Sequence, residues 1–431
     1  MKIMFIPFSV KILILKSLCK RLLFLATVIF LQPFNSSANG VFYADSSVKN
    51  FIGIWRAEFT IQNKIQVPFN FEIVSLKGAL QAYLINATER FPTGDIRITN
   101  DSIFITLALF DNELAFKIQK DNLNGILRRL DQKGKGIPVI AEKGLNYRFE
   151  ENASSALRDI SGSYDVVFQG ANGNQEKAVG IFNQKGNKLT ASFLKITGDT
   201  RYLEGIIEDN TIKLSSFIGS NPVLYTAKVN SDGILQGEYI NSRNAISFIA
   251  TPNANAALPD AYTLTKLTNS EEKFNFEFND INGKKVSSSD IKFRGKPLII
   301  AIGGTWCPNC MDEAAFLGPW YKANRNRDIE IIGLQFEFQT DSQHIKKVFN
   351  RFQKQFGIEY TLLVGGIADK QEVLKSLPSL ANFLSFPTTI FVDRNGQIHK
   401  IHTGFTGPAT GKNYTNFIKE FNEEVDYLIN H

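Results

Sequence analysis

The first half of the chain repeats itself once at a nearly constant offset, and this limits the fold more than any other feature. Gly53-Ile54-Trp55, Leu80-Gln81-Ala82-Tyr83-Leu84 and Asn100-Asp101-Ser102-Ile103-Phe104 are matched, each 109 residues later, by Gly162-Ser163-Tyr164, Leu189-Thr190-Ala191-Ser192-Phe193 and Asp209-Asn210-Thr211-Ile212-Lys213. Asn124-Gly125-Ile126-Leu127 is matched by Asp232-Gly233-Ile234-Leu235 at an offset of 108. Within each copy, short segments alternate apolar and polar residues, as in Lys188-Leu189-Thr190-Ala191-Ser192-Phe193-Leu194, and Gly/Asn/Asp clusters separate them. Period-two alternation with turn signals every 8–12 residues or so predicts antiparallel all-β units, either small barrels or sandwich halves, of about seven or eight strands each. The copies are expected over residues 45–150 and 158–251. A filled, structural interior is the ordinary state of such a barrel.

At roughly 100–200 residues per domain, 431 residues leave room for more than the two copies. Thr251 to Pro259 lacks periodicity and is bounded by prolines, which marks a linker. Beyond it the pattern changes. Pro297–Gly303 is continuously apolar, as a strand buried on both faces requires. Helical stretches at Met311–Arg327, His344–Phe356, Gln371–Leu377 and Asn413–Ile429 alternate with strands at Ile329–Glu337, Tyr360–Gly365, Thr388–Asp393 and Gln397–Thr403. Residues 262–431 are therefore expected to form an α/β sandwich, and the whole chain a multidomain protein with duplicated barrel-like or sandwich β units ahead of it.

The formal charge of +6 suggests a nucleic-acid partner, and its distribution removes the suggestion. Lys2, Lys11, Lys16, Lys20 and Arg21 lie in a leading segment, residues 1–38, that has no acidic residue; the remainder carries 43 basic and 42 acidic residues. The basic cluster precedes the apolar run Leu22–Leu31 and the small-x-small site Ser36-Ser37-Ala38, the order of a secretory signal peptide. Leu22–Leu31 is shorter than the roughly 20 apolar residues a membrane span needs, so cleavage is expected, with a retained signal anchor as the alternative. The chain is thus expected to be exported.

Cys19 falls in the leading segment, which leaves Cys307 and Cys310. Two residues between cysteines close too short a loop to stabilise much chain, so a redox or metal role remains. Tetrahedral zinc needs two further ligands. No other mature cysteine is available, and His344, His399, His402 and His431 are scattered, with His399 and His402 on opposite faces of a strand. No metal or cofactor is expected beyond the cysteine pair itself. Thr305-Trp306-Cys307-Pro308-Asn309-Cys310 sits between the buried strand and a helix, where unpaired N–H groups and the helix dipole stabilise a Cys307 thiolate. Cys307 is then the exposed nucleophile and Cys310 the buried thiol that resolves a mixed disulfide. Pro308 suits the first helical position, whose N–H is unpaired in any case. Asp312 reads as solvated.

These residues carry a resemblance. Gly304-Thr305-Trp306-Cys307-Pro308-Asn309-Cys310, Glu313 three after the second cysteine and Phe386-Pro387-Thr388-Thr389 before a strand resemble the TlpA/ResA-like thiol-disulfide oxidoreductases of the thioredoxin superfamily over residues 262–431. The whole chain resembles exported Bacteroidetes-type members with a β-rich N-terminal region. The resemblance implies a thioredoxin-like fold, a cis Pro387 facing the dithiol, and the Phe386 backbone offered to an extended substrate strand. Ala301 stands where thioredoxin has a buried Asp, and Glu313 is the candidate replacement for proton transfer with Cys310, against a plain role at the helix dipole. Trp306 either shields the nucleophile and supplies an apolar contact surface or simply packs; Phe386 has the same two readings. Implied partners are protein disulfides and a membrane thiol-disulfide electron donor in the periplasm, with a potential toward the reducing end of the roughly −270 to −120 mV that CxxC proteins span.

Two other functions compete. Peroxiredoxins share the fold and place a Thr before their cysteine, but Thr305 is two residues before Cys307 where the peroxidatic pattern has three. Alternatively, the β region is a binding module that the redox domain serves; aromatic residues at a barrel mouth would mark it.

Overall fold

The computed structural model describes residues 46–431 apart from 121, 133, 171 and 270–272; the expected signal segment lies outside them. The first β unit is an antiparallel meander of nine strands from Gly53–Thr60 to Ile137–Lys143, whose last strand pairs with its first at Ala57↔Ala141. It curls into a barrel left open between Glu89–Pro92 and Ile96–Ile98, its two edges. The second unit is a closed barrel. Its first strand, Gly162–Gln169, pairs with its last, Ala245–Pro252, and Lys188–Lys195 pairs with both Gln175–Lys185 and Leu203–Glu208 to complete a ring of eight. The two-residue strand Gly198–Asp199 folds back onto Lys188–Lys195 at the rim.

Of the two β architectures open to the sequence, both copies are barrels, and each has nine strands where seven or eight were expected. The additional pieces are the short ones, Glu89–Pro92 and Ile96–Ile98 in the first copy and Gly198–Asp199 in the second, too brief for an alternation to register. The duplication extends to single bonds. Trp55 Nε1 donates to the Phe51 carbonyl at 2.9 Å, and 109 residues on Tyr164 Oη donates to the Ile160 carbonyl at 3.1 Å. Gly53 and Gly162 ahead of them both take left-handed φ, +127° and +131°, which glycine alone adopts readily.

The barrel interiors are filled. In the second barrel Phe168, Phe182, Phe248 and Tyr225 surround Phe193 with ring centroids 4.9–5.7 Å from it, mixing edge-on and stacked contacts. The expected linker begins later than the sequence suggests, because Thr251 and Pro252 complete the last strand. Pro252 lies at the strand's end, where a missing N–H is tolerated.

The C-terminal sheet has seven strands in the order Lys285–Ser287, Glu277–Asp280, Thr361–Ile367, Glu330–Glu337, Leu298–Gly303, Thr388–Val392, Ile398–Thr403. Leu298–Gly303, Glu330–Glu337 and Thr361–Ile367 run parallel, and the flanking pairs are antiparallel. Helices α1 (Pro308–Asn324), α2 (Ser342–Phe356) and α4 (Lys412–Asn430) supply Leu317, Phe349 and Phe421 to the face carrying Ile299 and Ile331. Helix α3 (Lys370–Ser376) supplies Val373 to the opposite face, with Ile300 and Leu334. Every helix and strand expected after Pro297 is present within three residues at either end.

The domains are joined by contacts the sequence does not announce. Lys347 and Arg351 of α2 pair with Asp111 of the first barrel at 2.8 and 2.7 Å, and Arg351 also donates to the Ala108 carbonyl. One continuous apolar cluster takes in the first barrel's core, Phe217 and Leu224 of the second, and the α1/α2/α4 face of the sheet.

Candidate active site

Leu298–Gly303 is buried along its whole length, flanked on one side by Glu330–Glu337 and on the other by Thr388–Val392. It delivers the cysteine segment to the edge of the core. The turn after it depends on Gly304, where a Cβ would sit 2.4 Å from Trp306 Nε1 and 2.7 Å from the Phe336 carbonyl oxygen. With no side chain there, the Trp306 indole folds back and donates to that carbonyl at 2.9 Å. Thr305 is held by Glu337, whose carboxylate accepts from the Thr305 N–H at 2.8 Å and from its hydroxyl at 3.0 Å. Glu337 is buried, which pushes its pKa up to about 7 against the two Thr305 bonds.

Cys307 is the N-cap of α1. Its sulfur accepts from the Cys310 N–H at 3.3 Å, and Pro308 opens the helix. A sulfur in this position takes one of the unpaired amides and lies at the positive end of the dipole, as a thiolate requires. On its other side Cys307 Sγ faces the Phe386 carbonyl at 3.7 Å, and the Phe386–Pro387 peptide is cis. Both thiols are free and both are buried, Cys307 at 6% exposure and Cys310 at 3%. The expected contrast between an exposed and a buried cysteine is thus small, because the Cys307 sulfur is turned under the Phe386 backbone. Burial first, then the Cys307 sulfur and the Glu313 charge, raise the Cys310 thiol well above its ordinary pKa.

Glu313 lies one turn beyond Cys310, buried, with its carboxylate accepting from the Thr389 hydroxyl at 2.5 Å. Burial pushes its pKa up to about 7, and the Thr389 bond opposes the rise. Its charge, with the Cys307 sulfur, acts on the Cys310 thiol, and Ala301 is buried and carries none. Trp306 and Phe386 meet edge to face at 5.7 Å. Phe338 completes this aromatic cluster, 4.5 Å from Trp306 and 65% exposed. The sequence reading missed Phe338, which continues the alternation of Leu334 and Phe336 one residue past the expected strand end at Glu337.

Asp312 contradicts its sequence reading. It is not solvated but largely buried, and it pairs at 2.5 Å with Arg201 of the second barrel. Burial pushes its pKa up to about 7, Arg201 opposes, and Asp199 and Glu89 add to the rise. Arg201 also pairs with Glu89 of the first barrel and donates to the Pro308 carbonyl at 3.1 Å. A cavity of about 600 Å³ opens at the mouth of the second barrel, with Phe168, Tyr225 and Tyr239 in its lining and Pro308 and Asn309 on one wall.

Residues 271–401 match the family model described as AhpC/TSA family. The C-terminal region is an AhpC/TSA-family domain. Relatives of this domain include the thiol-disulfide oxidoreductase ResA of Bacillus subtilis (strain 168), 28% identical over 145 residues, which span 34% of this chain and 73% of that protein. ResA of Geobacillus thermodenitrificans (strain NG80-2) is 25% identical over 129 residues, 30% of this chain and 66% of that protein. Among solved structures, a thiol-disulfide oxidoreductase from Bacteroides fragilis NCTC 9343 aligns with 35% of this chain and 99% of its own at 19% identity, with a TM-score of 0.27. The AhpC/TSA match and the ResA relatives bear out the resemblance carried by the CPNC segment.

Proposed function

We propose that this chain is an exported thiol-disulfide oxidoreductase that reduces protein disulfides. The observation that carries the reading is the setting of Cys307: an N-cap sulfur bonded by the Cys310 amide and facing the carbonyl that precedes a cis proline. In the reduced enzyme the Cys307 thiolate attacks one sulfur of a substrate disulfide. A mixed disulfide forms, and the other substrate sulfur leaves as a thiolate and takes up a proton. Glu313, ionised above pH about 7, accepts the Cys310 proton directly or through water. The Cys310 thiolate then attacks Cys307 Sγ and releases the second substrate thiol. Two electrons have passed to the substrate, and the Cys307–Cys310 disulfide awaits a membrane thiol donor. Trp306, Phe386 and Pro387 are proposed to seat the substrate strand, with Phe338 extending the apolar surface.

Export is supported by the charge and apolar pattern of residues 1–38, with function in the periplasm. Among the described residues no helix is long and apolar enough to cross a membrane. A thiol peroxidase draws on the AhpC/TSA match, but the Thr305 hydroxyl is committed to Glu337 and points to disulfide exchange instead.

Trapping tests the reading. Cys310→Ser is expected to accumulate mixed disulfides with exported proteins, and Cys307→Ser to lose insulin reduction. A Cys310→Ser protein without adducts together with an active Cys307→Ser protein would overturn it, and hydrogen peroxide consumption exceeding insulin reduction would favour the peroxidase.

A further inference from the structure

The rim of the second barrel reaches the turn between the two cysteines. Its loop between Lys188–Lys195 and Leu203–Glu208 carries Gly198, Asp199 and Arg201; Gly198 and Arg201 touch the residues between the cysteines, and Asp199 touches Gly407. Arg201 is 8% exposed at its side chain and holds a left-handed φ of +58°, a conformation rare outside glycine. Its guanidinium joins the first barrel, at Glu89, to α1, at Asp312 and at the Pro308 carbonyl between the two cysteines. Asp199 fixes the loop from below, accepting from the Arg201 N–H and the Gly407 N–H, both at 2.6 Å. Gly198 has φ +132°, and a Cβ there would lie 2.2 Å from Asn309 Nδ2, so the loop is shaped to lie against the residue between Pro308 and Cys310.

We propose that Arg201 is a positioning residue of the dithiol site, through which the duplicated β region holds the turn between Cys307 and Cys310 and sets how well it supports a thiolate. This rests on the oxidoreductase reading and gives the β region a part in it. The electrostatic reasoning is direct. Glu89, Asp199 and Asp312 bring three carboxyl groups to one guanidinium, with Tyr202 and Tyr414 inside the same field. Among the described residues Arg201 is the cation that pairs with Glu89 and Asp312 beside the helix N-terminus, and without it a negative charge on Cys307 loses support. The reduced form is then less stable relative to the disulfide, so the couple becomes more reducing.

The test uses the full chain and two readouts: the pH midpoint of Cys307 alkylation, followed on its own peptide, and the equilibrium constant with glutathione. Arg201→Met is expected to raise the midpoint by about half a unit to one unit and to shift the constant about threefold to tenfold toward the disulfide, where tenfold is about 30 mV. Arg201→Lys, which keeps the charge, is expected to return both to within about twofold of the parent. Should Arg201→Met fail to fold, Gly198→Ala carries the test, since it displaces the same loop from Asn309 and is expected to raise the midpoint. Unchanged readouts in a folded Arg201→Met or Gly198→Ala protein, or Arg201→Lys matching Arg201→Met, would overturn the proposal. An inactive parent in insulin reduction would instead remove the oxidoreductase reading, with both dithiol readouts still measurable.

Discussion

Glu313 has the least ordinary chemistry of the single residues in the proposed site. Its carboxyl is held up to about 7 from an ordinary 4.5 by burial, with Thr389 as its hydrogen-bond partner. The native state therefore keeps a proton between about pH 4.5 and 7 that the unfolded chain releases, so this group lowers stability as pH rises through that window. The shift corresponds to about 3 kcal/mol, and Asp312 and Glu337 act with the same sign. Urea unfolding at pH 5 and pH 7.5 should show the decline, and Glu313→Gln should lessen it. In the proposed mechanism the ionised form is the useful one. Turnover is expected to rise through about pH 7, and Glu313→Gln to lose about tenfold to hundredfold and that rise with it, read from kcat/KM against pH. A variant with the parent's profile would remove Glu313 from proton transfer.

Among the elements, the two barrels share a plan and differ in closure. In the second, Leu203–Glu208 is hydrogen-bonded on both sides; in the first, Ile96–Ile98 is an edge, and the Thr93 N–H to Ala82 carbonyl bond only extends the pairing of Glu89–Pro92 with Ala79–Asn86. Amides of Ile96–Ile98 are accordingly expected to exchange with deuterium faster than those of Leu203–Glu208 in native-state exchange, and equal protection would mean the opening is not felt in solution. Phe193 is fully buried at the centre of the closed ring, and Phe193→Ala is expected to cost about 3–5 kcal/mol in chemical unfolding. This level was the most legible in the sequence. Alternation, Gly/Asn turns and the 109-residue offset are short-range signals, and so is the continuous apolar run of Leu298–Gly303 ahead of a helix. Closure was not legible, because it depends on whether strands distant along the chain meet.

For the whole molecule, the continuous apolar cluster and the Asp111, Arg201 and Glu89 ion pairs tie the barrels to the C-terminal domain. Calorimetry is expected to show one cooperative transition, and Phe59→Ala in the first barrel to lower the temperature at which C-terminal-domain fluorescence changes; separate transitions would show that the interfaces contribute little. The sequence by itself determined the chemistry: a cysteine pair at a strand–helix junction, a proline before a strand, and a carboxyl one turn past the second cysteine. The first follows from backbone geometry over a few residues, which spacing records; the parts of Pro387 and Glu313 come with the resemblance to the TlpA/ResA-like family. Only the tertiary structure decided what surrounds that chemistry. Arg201 meets Pro308 across 107 residues of sequence, and Asp312, a polar residue on a helix, becomes largely buried because a barrel loop is packed over it. Local pattern carries no trace of such pairings, since they arise when separately formed domains bury their surfaces against one another.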